Sequence, residues 1–286
     1  MTTLVANPSF QPFAKGHGAG NDFIVLPDPH SRLALGAEDV VRLCDRRTGL
    51  GADGVLRAVR CRASPEAAAI ASDADWFMDY RNADGTLGQM CGNGIRVLAR
   101  YLVDAGHCPP GTLALATRAG LRTAHVPYRS ADFHGPVTVG MGTPRWPGPE
   151  GITVTAGARS WPALHVDMGN PHAVAFVGDL TDPGDLTSPP AVAPADAYPY
   201  GVTIEFVARR GLDDLAVRVH ERGVGETRAC GTGACAAVAA ALRTGAVPGT
   251  FTVDMPGGRL GVAVLADGSM ELTGPATIVA HGTVRL

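Results

Sequence analysis

Two segments interrupt the mostly strand-like rhythm of this chain. Residues 95–102 place apolar side chains at helical spacing and are followed by Gly106 as a stop, which predicts a helix. Residues 234–242 are apolar almost all round and end near Gly245 and Pro248. That second helix is expected inside a wrap of sheet, where it needs no wet face. The remaining apolar runs are short and bounded by Gly and Pro, and 137–141, 163–166, 202–207, 215–220, 250–253, 261–265 and 277–279 read as strands. Segments 142–151 and 178–200, rich in Pro, Gly and Asp, read as connections.

The two halves of the pattern repeat each other. Gly20-Asn21 is a turn feeding an apolar run, and so is Gly169-Asn170; further on, Cys91-Gly92-Asn93-Gly94 and Cys230-Gly231-Thr232-Gly233 each lead straight into one of the two helices. Asn82 and Glu221 lie equally far upstream of their cysteines. A duplicated unit follows, with a tandem α+β architecture, one buried helix per half, and a site built between two copies.

Composition narrows the class. The 286 residues, 45% hydrophobic, suffice for one large core or two smaller ones. A formal charge of −3 leaves no basic stripe for nucleic acid. The six cysteines show neither disulfide-framework nor zinc-ligand spacing, so reduced thiols in a cytoplasm, no metal and no cofactor are expected. Met1-Thr2-Thr3-Leu4 has no leader character, and the longest apolar run is too short to span a bilayer.

The chemistry lies in the repeated turn. A cysteine at a helix N-terminus meets backbone N–H groups and a dipole that favour a thiolate and a bound carboxylate together. Two such turns facing each other suit a carbon acid gripped between two sulfur bases. The N–H groups of Gly92, Asn93, Gly231 and Thr232 would hold the carboxylate on which charge develops, one cysteine taking a proton and the other giving one. His172, aimed by Asn170-Pro171, and Glu221 are candidates to manage the thiol protons; alone, His172 reads more often as a half-buried structural histidine, and Glu221 reads equally as one end of a surface ion pair. A structural disulfide between Cys91 and Cys230 is the competing reading of the cysteines. Cys44, Cys61, Cys108 and Cys235 read as small buried hydrophobes. Gly49-Leu50-Gly51-Ala52-Asp53-Gly54 has the form G-x-G-x-x-G but no evident βαβ unit around it, so a tight turn lining the site is preferred to a phosphate loop.

These residues, with His17-Gly18-Ala19-Gly20-Asn21-Asp22-Phe23, Asn82-Ala83-Asp84-Gly85 and Glu221-Arg222-Gly223-Val224-Gly225-Glu226-Thr227, resemble the diaminopimelate epimerase family, in order and through nearly the whole chain, in an actinobacterial-type version. The resemblance implies cofactor-independent interconversion of LL- and meso-2,6-diaminopimelate, in lysine and peptidoglycan precursor biosynthesis. It implies two pseudo-symmetric domains, 1–130 and 131–276, each a mixed sheet wrapped around a central helix, with a final strand near 277–286 returning to the first. It implies Cys91 and Cys230 as the acid/base pair, supported by His172 and Glu221, and a reacting carboxylate on Gly92, Asn93, Gly231 and Thr232. Asn21, Asn82, Asn170 and Arg222 would hold the distal amino-acid end, and the assembly would be a homodimer. The family usually carries Asn where this chain has Thr203, at a position that helps bind the distal group. A hydroxyl offers one donor where an amide offers two, so racemisation of another polar amino acid, such as O-ureidoserine, is the alternative. A non-catalytic amino-acid or phosphate-binding protein on the same cleft is a third.

Overall fold

The computed structural model describes residues 10–128 and 135–286. The N-terminal Met1–Leu4 segment and the boundary placed between residues 130 and 131 lie outside the described residues. The first stretch runs β1 (Phe10–Gly18), β2 (Asn21–Pro27), α1 (Ala37–Cys44), β3 (Gly54–Arg60), β4 (Trp76–Asn82), α2 (Gly92–Asp104), β5 (Gly111–Thr117), β6 (Gly120–Val126) and β7 (Val137–Gly142). It continues through β8 (Ile152–Ala156), β9 (Arg159–Asp167), β10 (Pro171–Phe176), β11 (Ala191–Ala193), β12 (Thr203–Arg209), β13 (Asp214–Glu221) and β14 (Gly225–Thr227). The chain ends with α3 (Gly231–Arg243), β15 (Thr250–Met255), β16 (Gly258–Val264), β17 (Met270–Gly274) and β18 (Thr277–Arg285).

The strand pairings repeat in sense as well as order. From β2 to β7 the neighbours β2–β3, β3–β4, β4–β5, β5–β6 and β6–β7 run parallel, antiparallel, parallel, antiparallel, antiparallel. The same sequence of senses joins β10–β12, β12–β13, β13–β15, β15–β16 and β16–β17. Corresponding strands β7 and β17 pair with each other, so the two copies meet there in one continuous sheet. Each copy then sends its next strand across: β8 pairs with β9 of the second copy, and β18 pairs with β1 of the first.

α2 and α3 fill the two wraps. Every residue of α3 from Gly231 through Ala241 is buried, as its all-round apolar sequence requires. α2 is buried from Gly92 through Leu102 as well, and this includes Arg96 and Arg100, two charged positions that the helical pattern alone would leave wet. Ile95, Val97, Leu98 and Leu102 are completely enclosed, each contributing about 1.5–3 kcal/mol of hydrophobic stabilisation. The two helices belong to one hydrophobic cluster that runs across the junction. Among the described residues no helix is long and apolar enough to cross a membrane.

Two details differ from the sequence expectations. The connection 178–200 contains a short strand, β11, paired with β8. The Gly49–Gly54 stretch does lie in a β-α-β unit, since α1 connects the parallel strands β2 and β3. It follows the helix instead of preceding it, so it offers no helix N-terminus to a phosphate and acts as the tight turn into β3.

Candidate active site

Each cysteine caps its helix. Cys91 and Cys230 have extended backbones (φ −143°, ψ 117° and φ −127°, ψ 117°), and each Sγ accepts the N–H of the glycine three residues on. These contacts, Gly94 to Cys91 and Gly233 to Cys230, are both 3.4 Å. The first glycine of each turn is needed because the turns abut: a Cβ on Gly231 would stand 3.4 Å from the Gly92 Cα and 2.8 Å from Leu272 Cδ2. The two helix N-termini are therefore back to back, with their free N–H groups in one place. All six cysteines are free thiols, which removes the structural disulfide.

Asn93 locks this arrangement. Its Nδ2 donates to the carbonyl of Ala229, the residue before Cys230, at 3.0 Å and to Asn21 Oδ1 at 3.2 Å. Its Oδ1 accepts from Arg96 Nη2 at 2.6 Å. The Cys91 thiol in turn points at Asn21 Oδ1, 3.7 Å away, while Asn21 Nδ2 donates to Asp53 at 2.7 Å. Asn21 thus lies at the Cys91 turn, and Asp53, from the glycine-rich segment, holds it.

On the second copy, His172 is completely buried on β10 with Nδ1 2.7 Å from Glu205 Oε1 and Nε2 3.1 Å from Asn170 Oδ1. Thr203 stands beside His172 in the parallel pairing of β10 and β12, and its hydroxyl accepts the Arg222 N–H at 3.4 Å. Glu221, at the end of β13, accepts the Thr227 hydroxyl at 2.5 Å. The Cys230 Sγ is 3.4 Å from the Thr232 hydroxyl. Asn82 is set apart: it closes a turn by donating from Nδ2 to Thr86 Oγ1 at 2.9 Å, and among the described residues it shares no hydrogen bond with either cysteine turn.

The electrostatics differ from the expectation of a ready thiolate. Burial pushes the Cys91 thiol up to about 11, opposed by the Gly94 N–H and by Arg96 and reinforced by Glu221. Burial also pushes Cys230 well above the ordinary thiol range, with Glu221 and Glu205 adding to it. Burial also raises Glu221 above the usual carboxylate range, against the Thr227 hydrogen bond. At both sulfurs burial works against the thiolate that the helix terminus favours. Glu221 acts on both cysteines, which places one carboxyl group within electrostatic reach of both.

Three residues of this site escape sequence reasoning. Glu205 carried a weak signal, as a carboxylate in an otherwise apolar strand. Arg96 is fully buried and, among the described residues, bonds only oxygens of Asn93, Gly92 and Pro275; burial lowers its pKa to about 10. Tyr80 packs edge-on against Phe23, and burial, then Cys91 and Glu221, raise its hydroxyl pKa. Nothing in their spacing marks either. Among the described residues no group of three or more His, Cys, Asp and Glu converges where it could hold a metal ion.

A mixed sheet wrapped around two central helices is a class of fold shared with several solved structures. A hydroxyproline epimerase from Agrobacterium vitis superposes with a TM-score of 0.67 at 18% identity, over 96% of this chain and 91% of that one. A predicted epimerase from Pseudomonas aeruginosa gives 0.69 at 13% identity, over 96% and 99%. A phenazine biosynthesis protein of the PhzF family from Bacillus anthracis gives 0.68 at 15% identity, over 97% and 100%. These likenesses establish the fold. The family model described as diaminopimelate epimerase matches residues 13–147 and 164–279. Diaminopimelate epimerase of Streptomyces coelicolor is 56% identical over 289 residues, 99% of this chain and 96% of its own. That of Thermobifida fusca is 46% identical over 278 residues, 96% and 98%. The chain belongs to the diaminopimelate epimerase family.

Proposed function

We propose that this chain interconverts LL- and meso-2,6-diaminopimelate by exchanging one α-proton between two sulfur bases, without a cofactor. The observation that carries the proposal is the abutment of the two cysteine-capped helix N-termini at Gly92 and Gly231. In this mechanism the α-carboxylate sits on the N–H groups of Gly92, Asn93, Gly231 and Thr232, where enediolate charge is stabilised as it forms. One cysteine must first lose its proton, and Glu221, whose raised pKa brings it closer to the thiols, is the group to take it. The thiolate then takes the α-proton: an S–H bond forms, the Cα–H bond breaks, and its electron pair passes to the carboxylate. The opposite thiol delivers its proton to the other face of the carbon. The enzyme is left with the two sulfurs' roles exchanged, which is the state needed for the reverse direction.

His172 and Glu221 serve the thiol protons, and Asn21, Asn82, Asn170, Thr203 and Arg222 contact the substrate. The two units, divided near residues 130 and 131, work as one site in a cytoplasmic homodimer; the repeated strand senses support the units, and β18, which among the described residues pairs with β1 alone, leaves an edge for a second copy. In heavy water, LL-diaminopimelate should acquire one solvent deuterium at the inverted α-carbon, and Cys91→Ser and Cys230→Ser should each nearly abolish inversion. Absence of exchange with fresh, reduced protein, or preference for a single-centre amino acid, would defeat the proposal.

A further inference from the structure

The two copies are not chemically equivalent beneath their cysteines. The β2–β3 register sets Phe23 beside Gly54 and Val25 beside Leu56, and the β10–β12 register sets His172 beside Thr203 and Val174 beside Glu205. Phe23 therefore corresponds to His172, and Leu56 to Glu205. Both inner residues press on the last glycine of their cysteine turn. A Cβ on Gly94 would meet Leu56 Cδ2 at 3.1 Å, and a Cβ on Gly233 would meet Glu205 Oε1 at 2.6 Å. Apolar Leu56 backs the Cys91 turn, and the Cys230 turn is backed by Glu205, an acid that holds the His172 imidazole.

Glu205 and His172 are both 0% exposed, and a carboxyl group in such a place is costly unless a partner holds it. The partner is the His172 ring, 2.7 Å away; the other oxygen, Oε2, is buried and makes no hydrogen bond with the described residues. His172 has an oxygen at each ring nitrogen, Glu205 Oε1 at Nδ1 and Asn170 Oδ1 at Nε2. With the Asn170 amide in this orientation, one proton sits on each line. Nε2–H donates to Asn170, and a second proton lies between Nδ1 and Oε1. That proton can rest on nitrogen, giving a carboxylate and an imidazolium, or on oxygen, giving a carboxylic acid and a neutral ring. Either way the pair carries no net charge, and no other bond changes. The titratable groups in electrostatic reach of the pair are Glu221 on β13, Cys230 at the start of α3, Tyr198, and His165 on β9.

We propose that Glu205 is a positioning residue that fixes the His172 ring and shares its Nδ1 proton, so that the Cys230 side holds a proton-storing pair which the Cys91 side lacks. This rests on the two-cysteine reading above, and it makes the two sulfurs unequal partners. Glu205→Gln keeps the shape and removes the shared acid, so kcat/KM should fall about 10- to 100-fold, the range seen when a carboxylate that orients a metal-bound histidine is lost. KM should stay within about twofold. The pH profile of kcat/KM should move, and the iodoacetamide labelling rate of Cys230 relative to Cys91 should change in the intact protein. Glu205→Asp should recover part of the rate and part of the profile.

A Glu205→Gln protein with an unmoved pH profile and an unchanged labelling ratio would overturn the proposal even if its rate or melting temperature dropped, since that is what a structural role alone produces. If Glu205→Gln does not fold, the wild-type chain decides: 15N-imidazole spectra should show a proton shared at His172 Nδ1, assigned by its absence in His172→Asn. Lack of that proton overturns the proposal. Retained epimerisation in Cys230→Ser would overturn the two-cysteine reading instead, so the two failures are distinguishable.

Discussion

Replacing Asn93 with Ala should cost about 3–5 kcal/mol, most of it through a neighbour that stays behind. Asn93 is 1% exposed and makes bonds of 3.0 Å to Ala229 O, 3.2 Å to Asn21 Oδ1 and 2.6 Å from Arg96 Nη2. The two neutral bonds are worth about 1 kcal/mol each and the charged one about 1.5–3 kcal/mol. Arg96 is 0% exposed, so no bulk water replaces the lost acceptor and the guanidinium is left on its longer contacts to the Gly92 and Pro275 carbonyls. Urea unfolding should show a lower midpoint at unchanged slope. Adding Arg96→Met to Asn93→Ala removes that buried charge and should return about 1–3 kcal/mol, although Arg96→Met alone destabilises. A loss below about 1 kcal/mol for Asn93→Ala, or a second substitution that destabilises the pair as much as it does the wild type, would refute this account.

Two further outcomes are expected. Burial holds the Cys44 and Cys91 thiols at about 11 against an ordinary 9.0, so the folded chain keeps protons that the unfolded chain releases first. Their stabilising contribution is whole below pH 9 and is lost as pH rises through 11; the melting temperature should fall across that window, less steeply in Cys44→Ala, and an equal slope in both proteins contradicts the assignment. Thr203→Val deletes the acceptor for the Arg222 N–H and should raise KM for diaminopimelate about fivefold, the equivalent of about 1 kcal/mol, with little change in kcat. Steady-state kinetics that show a kcat loss with KM unchanged place Thr203 in the chemical step instead.

Much of the site was legible because it is written in local chemistry. Cys-Gly-x-Gly before an apolar run specifies a capped helix start wherever it occurs, and the repeat of that turn specifies two of them; α2 and α3 begin at Gly92 and Gly231 accordingly. Strands β12 and β13 were readable from their apolar runs. β4 was not, because its Asp79 is paired with Arg57, Arg81 and Arg118, so charged residues lie inside the sheet where the hydrophobic pattern predicts none.

By itself the sequence determined the duplication, the two helices, the cysteine turns and the family. The tertiary structure alone decided that the turns abut, that Asn93 bridges them through a residue 136 positions away, and that His172 faces Glu205. It also set burial against the thiolate that each helix terminus favours. A helix terminus is a local property that spacing announces, whereas desolvation depends on everything packed around the sulfur, and that is known only once both sheets have closed over the helices.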